Sequence, residues 1–298
     1  MFDLDRIVHA LRGRMHGRRG ICFCPAHENT RTPALSIAIG ENGRLLLHCF
    51  AGCSFGEVLD ALRRQGHVKG AGGLPPLSQK EVISITAAKR AEAEKKVKQA
   101  RKIWYEAQSI TGTIAERYLR GRHITCDLLP SLRFHPDCWH GPTARRHPAM
   151  VALIEGGEGF AIHRTFLQPD GNGKADVPAG TEKMMLGPAR GGHVEIARAN
   201  GPLMACEGIE TGLALASGLL SRPATVWAGC GTAGLSSLCL PESSGRLIIA
   251  ADGDQAGEKA SKALALRARE AGWVVSLLPA PDGKDWADVL AAKMEQLV

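Results

Sequence analysis

One short stretch, LIIAADGDQAGEKA from Leu247 to Ala260, restricts the fold more than any other. Its first five residues are apolar or small, as in a strand buried on both faces, and the residues after Asp254 have helical spacing. Two aspartates one glycine apart sit at the junction. Carboxylates at the end of a buried strand are costly to gather unless a cation accompanies them. Strand, acidic turn and helix together form the unit of a parallel sheet, whose ligands collect at the carboxyl ends of its strands. The flanking sequence repeats the rhythm. PLMACEG, ATVWAG and WVVSLLP read as strands, with TGLALASGLL, AGEKASKALALRAREA and DWADVLAAKMEQL as helices among them.

Further acids fall at the same kind of position. Glu207 follows PLMAC, and Asp285 and Asp288 follow WVVSLLP in PDGKDWADVL. Three carboxylate clusters on one sheet edge call for a hard divalent cation, Mg²⁺ or Mn²⁺. Taken alone, Asp-x-Asp is also an ordinary helix cap, so the ordered set carries the inference.

The amino-terminal region suggests a different metal. ICFCPAHENTRTPALSIAIGENGRLLLHCFAGC holds Cys24-x-x-His27, about twenty residues that read as a β-hairpin, and Cys49-x-x-x-Cys53. Two close pairs of thiol and imidazole ligands separated by a hairpin suit tetrahedral zinc. Cys22 and His48 are rivals for one vertex. The nine cysteines, odd in number and unevenly spaced, do not read as a disulfide framework.

These signals divide the 298 residues into a zinc-binding domain at 1–68 and a Gly/Pro-punctuated linker at 69–80. A helical and basic α+β part follows at 81–200, then a parallel α/β domain at 201–298. The net charge of +7 favours a polyanionic partner, nucleic acid before membrane. No apolar run is long enough for a membrane span and the first residues lack a signal-peptide core, so the expected location is cytoplasmic. HPDCWH reads as a loop and KRAEAEKKVKQARK as a solvated helical face. Trp104 and Tyr105 are expected to pack in a core rather than stack on bases, as are Cys126, Cys206, Cys230 and Cys239.

CPAH, TPALSI and HCFAGCSFGEVLDAL resemble the CHC2 zinc-binding domain of bacterial DnaG-type and phage or plasmid primases. The chain carries one residue more between Cys49 and Cys53 than the usual Cys-x-x-Cys. The set Glu-Gly, Asp-Gly-Asp and Lys-Asp resembles the Toprim domain. GFAIHRTFLQPDGNGKADVPAGTEKMMLG resembles the basic subdomain that precedes Toprim in primases. The resemblance implies an α/β fold: a small zinc ribbon, then a mixed α+β basic subdomain, then a Toprim parallel sheet flanked by helices. It implies catalytic and magnesium-binding roles for Glu207, Asp252, Asp254 and Asp285, with Asp288 second to Asp285. It also implies nucleotide or template contacts for Arg164 and Lys183, with His163 and Lys174 as further candidates. Many primases carry an aspartate where this chain has Thr211, and Glu210 is placed either to compensate or to face solvent.

The expected activity is that of a compact primase of the phage, plasmid or mobile-element kind. It would join nucleotides on single-stranded DNA by two-metal nucleotidyl transfer, with structural Zn²⁺ and catalytic Mg²⁺ or Mn²⁺. A Toprim nuclease and a non-catalytic zinc/Toprim mediator of recombination or replication are the alternatives. No GxxxxGK[ST] motif occurs, so unwinding is expected from a separate replicative helicase. The only tyrosines, Tyr105 and Tyr118, lie in helical segments, which argues against a topoisomerase.

Overall fold

In a computed structural model, the described residues are 3–28, 32–40, 43, 45–68 and 79–296. The expected linker, 69–80, lies outside them except for its last two residues. The chain forms two compact units, Met1–Ile85 and Thr86–Val298.

In the first unit, helix α1 (Leu4–Ala10) is N-capped by Asp3, whose carboxylate accepts from the Arg6 amide at 3.1 Å. Strands β1 (Arg14–His16), β2 (Arg19–Cys22), β3 (Leu35–Ile39) and β4 (Leu45–Cys49) follow as an antiparallel meander in sequence order. Helix α2 (Phe55–Arg64) opens on a capping box between Ser54 and Glu57. Alternation sends Cys22, Leu35, Ile37 and Leu45 inward, against Ile7 and Val8 of α1 and Val58, Leu59 and Leu62 of α2. Close packing of α1 leaves no room for a side chain at Gly20, where a Cβ would lie 2.2 Å from Val8 Cγ2. The other sheet face meets solvent. Paired strands there place Arg14, Ile21, Ser36 and His48 in one row and His16, Arg19, Ala38 and Leu46 in the next.

The second unit contains two five-stranded sheets. Helix α3 (Gln79–Glu106), in which the division falls, packs through its carboxyl-terminal turns, where Ala100 and Trp104 are buried. Tyr105, expected in the core with it, is instead 70% exposed, and Cys239, also expected to pack, is exposed as well. Strands β5 (Gln108–Ser109), β6 (Leu132–His140), β7 (Arg145–Ile154), β8 (Ala161–Phe166) and β9 (Lys183–Leu186) form an antiparallel sheet, with helix α4 (Ile114–Gly121) after β5. The expected loop HPDCWH is instead part of β6. The strand absorbs Pro136 by a register shift between His135 and Cys138, where the Asp137 amide donates to His135 Nδ1.

Strand β8 is buried on both faces. Ile162 and Phe166 face Ala100 and Trp104, while Ala161 joins the core on the opposite side. That alternation fixes which residues of β8 reach the functional cleft.

The second sheet has the order β10 (Val194–Ala197), β12 (Thr225–Ala228), β11 (Leu203–Cys206), β13 (Arg246–Ala251), β14 (Val274–Pro279). Its β12, β11, β13 and β14 are parallel, while β10, expected among the middle strands, adds antiparallel to β12. Helices α5 (Ile209–Ala214), α6 (Thr232–Ser237), α7 (Gln255–Glu270) and α8 (Trp286–Glu295) flank it. Among the described residues no helix is long and apolar enough to cross a membrane. Because Phe166 is fully buried between the first sheet and α3, Phe166→Ala should cost about 3–5 kcal/mol in chemical denaturation.

Candidate functional site

The turn after β2 and the end of β4 bring Cys24, His27, Cys49 and Cys53 together, with one ligand atom from each lying within 4.8 Å of the others. His27 Nδ1 is 3.1 Å from Cys53 Sγ and 3.8 Å from Cys49 Sγ. Edges of a zinc tetrahedron with these ligands are about 3.5–3.8 Å, so the set fits Zn²⁺. Burial pushes the Cys24 thiol up to about 12, and negative charge on Cys49 and Cys53 adds to the push. Three thiols so close become thiolates together only around a cation. Cys22 is outside the set: it is fully buried, points its thiol at the Leu35 carbonyl, and is raised to about 11 by burial. His48 is exposed and stands edge-on to Phe50.

The carboxylates meet differently. Glu207 follows β11, Asp252 follows β13, and Asp285 caps α8; all three line one cleft of ≈ 270 Å³. The Asp252 amide faces Glu207 Oε1 at 3.4 Å. Backbone bonds from Gly253 N to Lys284 O and from Gly283 N to Gly253 O, each 2.8 Å, tie the Asp252 loop to the Asp285 loop. Gly257, in the first turn of α7, leaves space for the glutamate, since a Cβ there would lie 2.5 Å from Glu207 Oε1. Burial pushes the Asp252 carboxyl up to about 7. The charges of Glu207, Asp285 and Asp254 push the same way, and only a hydrogen bond from the Thr211 hydroxyl, at 3.4 Å, opposes them. Burial also raises Glu207; the Asp252 amide opposes this and the Asp254 charge reinforces it. Such a donor set, hard and overcharged, fits Mg²⁺ or Mn²⁺.

Asp254 is exposed and accepts from the Gly257 amide at 2.7 Å as the N-cap of α7. It borders a neighbouring groove, while Glu207, Asp252 and Asp285 line the ≈ 270 Å³ cleft together with Glu210. Asp285 and Asp288 close a reciprocal capping box. Among the described residues, the Cys24 set is the one group of three or more such side chains gathered for a single ion.

The opposite wall of the cleft comes from the first sheet. His163, Thr165, Lys183 and Met185 line it. Arg164 does not. Alternation along β8 turns it to the far face, where it is 6% exposed, lies 5.5 Å from the Phe166 ring centre and donates to the Trp139 carbonyl at 3.2 Å. Burial, with Lys183 beside it, lowers His163 to about 4, and its Nδ1 is buried without a partner. Lys183 donates to Glu210, whose carboxylate also accepts from the Tyr118 hydroxyl and lies 3.5 Å from Lys174 Nζ. Glu210 thus lines the cleft beside the other acids, buried and paired with lysines instead of facing solvent. Burial pushes its carboxyl upward, but Lys183 and Lys174 outweigh that and hold it at about 2.

Residues 202–295 match the Toprim domain family. The chain contains a Toprim domain. Residues 94–196 match a family described as a domain of unknown function, DUF7146. No curated protein matches the chain. Similar solved structures include a DNA primase domain from Pseudomonas aeruginosa, at 20% identity and TM-score 0.39 over 65% of this chain and 74% of that one. The Aquifex aeolicus primase zinc-binding and RNA polymerase domains match at 14% identity and TM-score 0.44, over 100% and 85%. The RNA polymerase domain of Mycobacterium tuberculosis primase DnaG matches at 18% and 0.41, over 74% and 83%.

Two outcomes test the sites. Metal analysis of purified protein should give one zinc per chain in wild type and in Cys22→Ala, and little in Cys49→Ala. For Asp252, the folded pKa lies above the unfolded value of about 3.9, so the native state binds the extra proton. Metal-free stability should therefore fall as pH rises from about 4 to about 7. Asp252→Asn should remove that fall, making the variant more stable than wild type at pH 8 by on the order of 1–2 kcal/mol after allowing for solvent screening, with no such gain at pH 4. Saturating Mg²⁺ should shrink the pH 8 difference.

Proposed function

We propose that the chain is a DNA primase, a nucleotidyltransferase that builds short oligonucleotides on single-stranded DNA. The observation that carries this reading is the pairing of walls around one cleft: Glu207, Asp252 and Asp285 on one side, Lys183, His163 and Thr165 on the other. In the reaction, a nucleotide 3′-hydroxyl oxygen bonds to the α-phosphorus of the next triphosphate, and the bond to the bridging oxygen breaks to release pyrophosphate. Divalent ions bound by the carboxylates would supply charge neutralisation and a lowered hydroxyl pKa. Lys183 meets the triphosphate from the facing strand, and neutral His163 offers its unpartnered nitrogen without adding charge. Asp254 supports the site from the α7 cap, its charge strengthening the demand for cations.

The zinc module supplies a surface suited to template. On the exposed face of its sheet, Arg14, His16 and Arg19 lie in rows with Leu46 and His48, and Phe50, 65% exposed, follows directly. Guanidinium groups beside an aromatic and imidazole platform suit a phosphate backbone and its bases, and the paired rows contain no carboxylate. Strand alternation in LLLHCF is the signal that would have exposed this face in the sequence.

The test is incubation with circular single-stranded DNA, labelled nucleotides and Mg²⁺ or Mn²⁺. Short labelled oligomers are expected, lost in Asp252→Asn with zinc content unchanged. Shortened template would instead identify a nuclease, and bound but unaltered DNA a mediator.

A further inference from the structure

Glu210 joins side chains from three separate segments of the chain. Its Oε1 accepts from the Tyr118 hydroxyl of α4. Its Oε2 accepts from Lys183 of β9 and faces Lys174 of the preceding loop at 3.5 Å. The carboxylate is 8% exposed, while the lysines are 33% and 40% exposed and keep N–H groups free for a ligand. One acid on helix α5 therefore holds three segments of the first sheet's side against the Toprim domain. The two lysines it holds open onto different spaces. Lys183 lines the acidic cleft; Lys174 lines a neighbouring ≈ 540 Å³ pocket with Tyr118, Arg117, Arg120 and Arg122, where no carboxylate enters.

We propose that Glu210 is a positioning residue: it sets the distance between the carboxylate wall and the lysine wall, and aims Lys183 at the triphosphate of the incoming nucleotide. This rests on the nucleotidyl-transfer reading of the cleft. The alternative role has the opposite sign. If Glu210 acted only as a charge beside an anion site, removing it would tighten triphosphate binding, because a negative charge within a few ångströms repels phosphate. If it holds the wall, removing it weakens binding although the site becomes more positive. The isosteric glutamine still accepts hydrogen bonds but carries no charge to draw two ammonium groups together, and Lys174, already lowered by its burial, loses the charge that counters that cost.

The experiment measures the affinity of the full chain for a fluorescent ribonucleoside triphosphate with a methylene α,β-bridge, in Mg²⁺, by anisotropy. Glu210→Gln should weaken binding about tenfold, and Tyr118→Phe, which removes one contact and leaves the charges, should weaken it less. In a Lys183→Met background, Glu210→Gln should add little further loss. Circular dichroism and zinc content of each variant report folding; should Glu210→Gln fail to fold, Tyr118→Phe with the Lys183 background gives the same comparison. Wild-type or tighter binding by Glu210→Gln, or full additivity with Lys183→Met, would overturn the proposal. Absence of triphosphate binding by wild type would overturn both this role and the reading of the cleft. Triphosphate binding that responds as expected, without oligomer synthesis, would remove only the polymerase assignment.

Discussion

Parallel strands β11 and β13 end side by side, and the acids at their tips have no lysine or arginine between them. That crowding organises the second unit. Asp252 is driven to about 7 by burial and by its acidic neighbours, whereas Glu210, in the turn after Glu207, is held at about 2 by two lysines. Glu207, raised by burial at the end of β11, and Glu210, three residues on in the first turn of α5, thus meet opposite fates. One set of carboxylates keeps its mutual repulsion, and one carboxylate is paired internally as a fastening. The sheet supplies the first arrangement, because adjacent strands in register deliver their carboxyl ends to one edge. The second requires a neighbouring sheet carrying cations at the correct height.

This division also explains what the sequence disclosed and what it withheld. The strands of the Toprim domain were legible because each is a short apolar run ending in a fixed chemical signal, Glu-Gly or Asp-Gly-Asp. The Cys/His set was legible because both ligand pairs are local in the chain. Glu210 was not, since its partners lie 27 and 92 residues away. Arg164 was misplaced for a related reason. A strand buried on both faces has no polar alternation to reveal its phase, so nothing in FAIHRTF states that His163 and Thr165, and not the arginine, face the cleft. Asp254 was read as part of the acidic motif, and its service as a helix cap shows that one carboxylate can satisfy a local backbone demand while its charge still acts on its neighbours. HPDCWH misled because proline argues against a strand unless a bulge accommodates it.

The first unit follows a different economy. Its core is small, and the buried side chains of one sheet face lie against two short helices. A metal held by the Cys/His set at the end of β4 and before α2 would fasten the parts of such a core that packing alone holds weakly. With one face committed to packing, the other is free to carry arginine, histidine and phenylalanine in solvent.

Gly257 has a consequence reaching beyond the folded molecule. Its missing side chain is the space Glu207 occupies, so the two positions, fifty residues apart, form a single heritable character. A lineage that acquires even alanine at Gly257 must displace both that acid and the Asp252 carbonyl, which the new Cβ would meet at 2.5 and 2.6 Å. Drift at the start of α7 is thereby bound to the fate of a residue on a different strand.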